Sequence, residues 1–233
     1  MMLKRKPYAM CALTLWAVSS GVTHARDASL SVKVDAIDDR GRFADSAVFC
    51  PPSSSNAKDV SPGVAWSKGP PKTRSYALLM MDPDVPADLG LINKPGTIIA
   101  RNAPRMRVFH WVLADIPPAI TAIPAGVESP GLVPGGKPIG TTPYGLRGTN
   151  VFTSFLADVK GMAGTYGGYD GPCPPANDVR PHRYIVRVMA LDIATLGLSG
   201  SFTGADLERA SDGHVLAEGR AVGTYSLKPG AVK

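Results

Sequence analysis

Apolar residues run or alternate along four stretches bounded by glycine and proline. These are LSVKVDAI (Leu30 to Ile37), SYALLMM (Ser75 to Met81), VFHWVLADI (Val108 to Ile116) and YIVRVMAL (Tyr184 to Leu191). Such segments predict β-strands. The 25 glycines and 22 prolines are spread widely, which suits many turns joining short strands. Two segments carry helical spacing instead. TNVFTSFLADV places Phe152, Phe155, Leu156 and Val159 three and four residues apart, with Asn150 as a cap. TGADLERA offers Thr203 and Asp206 as a capping box before a short helix. No internal repeat or low-complexity linker divides the chain, so residues 26–233 read as one β-rich domain with a few short helices late in the sequence.

The first 25 residues follow a different pattern. Lys4, Arg5 and Lys6 precede the apolar run AMCALTLWAV, and SSGVTHA then sets Thr23 and Ala25 at the −3 and −1 positions of a cut. The run is too short to span a bilayer, so residues 1–25 read as a cleaved signal peptide and the protein as periplasmic or secreted. Removing them changes the charge. The whole chain carries 25 bases and 19 acids, or +6; the leader holds three of the bases and no acid, leaving 22 against 19, or +3. That excess makes no case for nucleic acid as a partner. No later run reaches membrane length, so no transmembrane segment is expected. Cys11 leaves with the leader, and Cys50 and Cys173 remain. In an oxidising compartment the pair forms either a disulfide or two buried thiols, because sequence does not reveal the Cα separation that a bridge needs.

Three segments carry chemistry. In MDPDVP, Asp82 follows an apolar strand, and two prolines stiffen the chain around Asp84; alone this reads as a strand-ending Asp-Pro turn. In FHWVLADIP, strand parity puts His110 with Val108 and Val112 and on the face opposite Trp111. GGYDGPCPPANDVRPHRY, Gly167 to Tyr184, ends with His182 in phase with Tyr184, Val186 and Val188. A lone histidine on an apolar face is usually a hydrogen-bonded core residue. Trp66 reads as a core aromatic, and His214 beside Gly213 reads as structural.

DPDVP, then HWVLADIP, then YDGPCPP followed by HRY and a strand ending in ALD resemble the phosphatidylethanolamine-binding protein family, in its bacterial Raf-kinase-inhibitor-like branch. SPGVAW resembles that family's Ser-Pro…Trp segment and GHVLAEGRAVGTY its bacterial C-terminal helix, and the likeness runs from about Val48 to Tyr225. The resemblance implies a mainly β fold with a central antiparallel sheet, a second smaller sheet and short helices. It also implies a small anion pocket at one end of the main sheet. Carried over position by position, that pocket draws on Asp82, Asp84, His110, Gly171, Pro172, Pro174, His182 and Tyr184. Members of the family bind phosphate, acetate or phospholipid headgroups there, without a cofactor, and several regulate kinases or proteases by binding rather than by catalysis.

The residue chemistry suits this. Imidazole N–H groups make charge-assisted bonds to oxyanions, prolines line a wall without competing donors, and a carboxylate orients a histidine and favours its protonated form. On that basis phosphate-type ligands should bind more weakly as pH rises above neutral. One departure stands out: 23 residues separate Pro86 from His110, holding Lys94, Arg101, Arg105 and Arg107 against Asp88. They form either a rim that steers acidic ligands or a solvated loop. Two other functions compete. A protease or kinase-pathway inhibitor would work through loops around the pocket. A metal-dependent hydrolase would use the two histidines and two aspartates, although no H-E-x-x-H or G-x-S-x-G motif supports it. The sequence therefore reads as a non-enzymatic ligand-binding protein.

Overall fold

The computed structural model describes residues 28–50 and 58–228. The leader read at residues 1–25 lies outside the described residues. In chain order the strands are β1 (Ala28–Ser29), β2 (Val32–Val34), β3 (Val64–Trp66), β4 (Ser75–Pro86), β5 (Arg105–Ile116), β6 (Ala122–Ile123), β7 (Gly136–Lys137), β8 (Gly140–Thr142), β9 (Gly145–Arg147), β10 (Thr165–Tyr166), β11 (His182–Leu191) and β12 (Val215–Tyr225). The helices are α1 (Phe152–Phe155) and α2 (Gly204–Ser211). A seven-stranded sheet has the order β1-β12-β11-β4-β5-β9-β8, antiparallel except for the β1–β12 edge. A three-stranded sheet, β2-β3-β6, and a small β10-β7 pair complete the architecture, which is the mainly β arrangement expected.

The central strands are apolar at successive positions because both sheet faces are covered. On one face Tyr76, Leu78 and Met80 of β4 meet Tyr184, Val186 and Val188 of β11, under Val34, Val64, Trp66 and Ile123 of the smaller sheet. On the other, Ala77, Leu79, Met189 and Leu191 pack beneath Leu207 of α2 and Phe202, which precedes that helix. Trp66 is the core aromatic expected. The α2 capping box forms, with Thr203 Oγ1 accepting from the Asp206 amide and the Asp206 carboxylate accepting from the Thr203 amide. Gly213, at φ +76°, follows that helix, and His214 bonds Asp192 at 2.9 Å.

Four local expectations are corrected. GHVLAEGRAVGTY, likened to a C-terminal helix, forms β12 from Val215 on, antiparallel to β11 along the strand's whole length with Ala217 and Tyr225 buried in the core. The other three lie near the site. First, MDPDVP is not a turn, since β4 continues through it to Pro86, with a register shift between Asp82 and Val85. Beyond Met81 the strand pairs only with β5, so Pro83 and Pro86 meet no ladder on the β11 side. Second, Met80 pairs with Trp111 while Met81 pairs with Phe109, so His110 is the extra residue of a β-bulge. The bulge turns the His110 ring toward Tyr184, on the side of Trp111, while Val112 belongs to the opposite core. Third, the helix around Phe152 lasts four residues. Asn150 stands one residue ahead of the N-cap, Val151, and accepts from the Phe152 amide at 3.0 Å. Only Phe152 is buried; Phe155 and Val159 face solvent, so packing rewards no second turn.

Candidate ligand-binding site

A cavity of about 150 Å³ opens at the end of the main sheet where β4 and β5 pass His110 and Asp82. Asp82, His110 and His182 are its buried polar groups. Phe49, Val85, Ile92, Phe152 and Pro175 supply an apolar wall, Phe155, Leu156 and Asn93 stand at the lining too, and Cys50 and Cys173 complete it. The two cysteines are joined by a disulfide with their Cα atoms 4.6 Å apart, which decides the choice the sequence left open.

His182 is buried, and both ring nitrogens are taken. Nδ1 lies 2.7 Å from Asp82 Oδ2 and Nε2 lies 3.2 Å from Asp178 Oδ2. Burial alone would push the imidazole pKa down, but the hydrogen bonds and charges of Asp178 and Asp82 outweigh it and raise it to about 9. The ring is therefore a cation donating to two carboxylates. Asp178 is in turn bound by Arg105, which also donates to the carbonyls of Asp84, Ala100 and Ala103. Burial would raise the Asp178 carboxyl, yet the bonds from His182 and Arg105 hold it well below the usual range.

His110 is built the opposite way. Its Nδ1 faces the Asp170 carbonyl at 2.9 Å, and its own carbonyl accepts from the Asp170 amide at 3.0 Å. The Asp170 side chain is held by Lys137 Nζ at 2.5 Å and Asn150 Nδ2 at 2.6 Å. Behind it, Asp59 accepts from the Gly171 amide at 2.7 Å, and burial followed by the Asp170 charge pushes the Asp59 carboxyl well up. Burial also lowers His110, against the pull of Asp82 and Asp170. The ring is neutral near pH 7, and Nε2 has no hydrogen-bond partner among the described residues.

Of the eight residues carried over from the resemblance, three line the cavity and five serve elsewhere. Asp84 turns from it: Arg183 and Arg180 take both carboxylate oxygens at 2.8–3.0 Å. Burial would raise Asp84, but those arginines hold it down. Tyr184 is 1% exposed and packs edge-on to His110 and Phe43. The Pro172 carbonyl accepts from the amides of Phe49 and Cys50, tying the loop to the Cys50 segment, and Pro174 is buried behind Pro175. Gly171 permits close approach, because a Cβ there would lie 1.9 Å from the Ala47 carbonyl oxygen. Gly171→Ala should cost about 1–3 kcal/mol, as overpacking does; an unchanged urea midpoint would show that the Ala47 segment yields freely.

The long basic segment also differs from a rim. Arg105 and Arg107 belong to β5. Arg105 is buried on Asp178, and Arg107 lies over the Phe109 ring and binds Glu208 on the far face of the sheet. The rest of the segment is pinned to the proline-rich loop: Asn177 donates to the carbonyls of Leu91 and Thr97, while Asn93 and Asn177 exchange bonds with backbone amides on each other's segments. Sequence reasoning passed over Asp178, Asp170 and Lys137, and placed Arg105 only in the basic segment. Asp178, four residues before His182, offered a faint signal; Lys137 offered none.

The family model described as phosphatidylethanolamine-binding protein matches residues 35–226. The chain belongs to this family. A UPF0098 protein of Methanothermobacter thermautotrophicus is 30% identical over 196 residues, covering 84% of this chain and 98% of that protein. YbcL of Escherichia coli is 27% identical over 172 residues, 73% of each chain. The crystal structure of YbcL, described as a member of the mammalian family of the same name, superposes with a TM-score of 0.60 at 24% identity, over 86% of this chain and 100% of that one. A homologue from Chlamydia trachomatis gives 0.58 at 21%, over 85% and 97%. These likenesses bear on the fold, and they agree with the architecture described above.

Proposed function

We propose that this family member is an exported, non-catalytic ligand-binding protein, and that its cavity takes the phosphate or carboxylate headgroup of a small amphiphile such as a phospholipid. One observation carries the reading: the free edge of His110, with Asp82 and His182 beside it, faces a cavity of headgroup size whose remaining wall is largely apolar. A volume of about 150 Å³ holds a headgroup but no acyl chain. The chain would lie along the mouth, where Phe155 is exposed beside Leu156, and Leu89 stands on the turn that carries Ile92. A disulfide in the wall supports an oxidising compartment. With both nitrogens donating, His182 has no lone pair for a metal or for proton abstraction, and the arginines occupy Asp84; both facts support binding over catalysis.

Titration calorimetry with phosphate and with short-chain phosphatidylethanolamine tests this. Wild type should bind, and His110→Ala should bind about 10- to 100-fold more weakly, the effect of losing one hydrogen bond to a charged group, while remaining folded by circular dichroism. No heat and no thermal protection with either ligand would sink the reading.

A further inference from the structure

We propose that the cavity admits its oxyacid only together with a proton, so that each phosphate or carboxylate group bound takes up one proton, held between a ligand oxygen and His110 Nε2. This rests on the ligand-binding reading above and specifies its chemistry.

The argument is a count of donors and acceptors. A carbonyl oxygen only accepts, so Nδ1 of His110, facing the Asp170 carbonyl, carries the ring proton and Nε2 presents a lone pair. His182 donates one N–H to Asp82 and the other to Asp178. Asp82 is an acceptor; it already takes the Asp84 amide at 2.7 Å and the Tyr184 hydroxyl, which is thereby spent. The backbone amides along the wall are spent as well: Phe49 and Cys50 on the Pro172 carbonyl, Cys173 on the Tyr184 hydroxyl oxygen, Ile92 on Leu89, Phe155 on Val151 and Leu156 on Phe152. Pro175 has none. The Asn93 amide at the mouth is exposed and neutral. A fully ionised oxyanion would thus meet a lone pair and a carboxylate with no buried donor to receive it, an arrangement that is costly away from water.

One added proton reverses this. It supplies the missing donor, and the groups packed around His110 accommodate the charge. β4 brings Asp82; β11 brings His182, whose charge is balanced by Asp82 and Asp178, and the Tyr184 hydroxyl. The loop between β10 and β11 brings the Asp170 and Gly171 carbonyls and the Asp170 carboxylate, neutralised by Lys137 of β7 with Asp59 behind it; α1 adds only the Phe152 ring edge.

Acetate is the probe, because it stays ionised between pH 6.5 and 8.5. Calorimetry of the chain beginning at Arg26, in cationic buffers of different ionisation enthalpy at pH 7.5, counts the protons taken up. The expected result is one proton per acetate and an affinity that weakens about tenfold per pH unit, the signature of one linked proton. In His110→Gln the amide supplies its own donor, so binding should continue with no proton uptake and a flat pH profile. Binding of acetate by wild type with no proton uptake would overturn the proposal, since the anion would then be taking the His182 Nε2–H from Asp178. Absence of binding by acetate and phosphate at every pH would overturn the ligand-binding reading, and this proposal with it.

Discussion

Breaking the Cys50–Cys173 bridge should lower the stability of the protein by about 4–5 kcal/mol. The cysteines are 123 positions apart, and chain-entropy estimates for loops near this length reach about 4.7 kcal/mol. For a domain whose total stability is about 5–15 kcal/mol, that is a large share. The structural consequence centres on the cavity. Cys50 follows Phe49, which stacks on Phe152 with ring centroids 4.1 Å apart, and Cys173 sits between Pro172 and Pro174. Without the bridge, the Cys50 segment is held to the proline-rich loop by the two amide bonds to the Pro172 carbonyl, and to α1 by that stacking. Urea unfolding of the chain beginning at Arg26, oxidised and in dithiothreitol, together with the Cys50→Ser/Cys173→Ser double variant, measures the effect. A difference below about 1 kcal/mol, or two titratable thiols in the native oxidised protein, would show that the bridge does not close in solution.

The disulfide also marks where sequence legibility changes. Strands β4, β5 and β11 were readable because a strand buried on both faces must be apolar at successive positions, as Ala77 to Met81 and Val188 to Leu191 are; β12, which carries Glu218, Arg220 and Thr224, was likened to a helix instead. The α2 cap was readable because Thr203 and Asp206 satisfy each other locally. The bulge at His110 was not, since it adds one residue to β5 without disturbing the apolar pattern, and simple parity then assigns the ring to the wrong face. DPDVP was misread because proline commonly ends a strand, whereas here the strand merely runs past its neighbour. Within the site, His182 was identified by its motif, but its role was inverted: a donor intended for a ligand is consumed by Asp178, a partner that only the tertiary fold supplies. Asp170 stood in a quoted motif, yet its effect on His110 runs through a backbone carbonyl, which no residue type announces. Motifs thus named the right neighbourhood, and hydrogen-bond accounting in three dimensions assigned the work.

That accounting leads to the second large effect. Stability should decline by about 3 kcal/mol as pH rises from 6.5 to 9, through His182. Its pKa in the fold is about 9 against an ordinary 6.5, and each unit of difference is worth about 1.4 kcal/mol. A group raised in the folded state contributes fully below its unfolded pKa, and the contribution disappears as pH climbs through the folded value. Asp178 acts at the other end of the scale: lowered in the fold, it contributes above its ordinary 3.8 and is lost as pH falls below that. Stability should therefore peak between about pH 4 and 6.5. Unfolding curves in guanidinium at half-unit pH steps on the disulfide-intact protein would trace the slope. His182→Gln should remove the alkaline decline and lower stability below it, because Asp82 and Asp178 would be left buried without their shared cation. A wild-type profile flat between pH 6.5 and 9 would mean that the ring is neutral in the fold. Its Nε2 would then carry a lone pair rather than donate to Asp178, and the donor count on which proton-coupled binding rests would have to be redrawn.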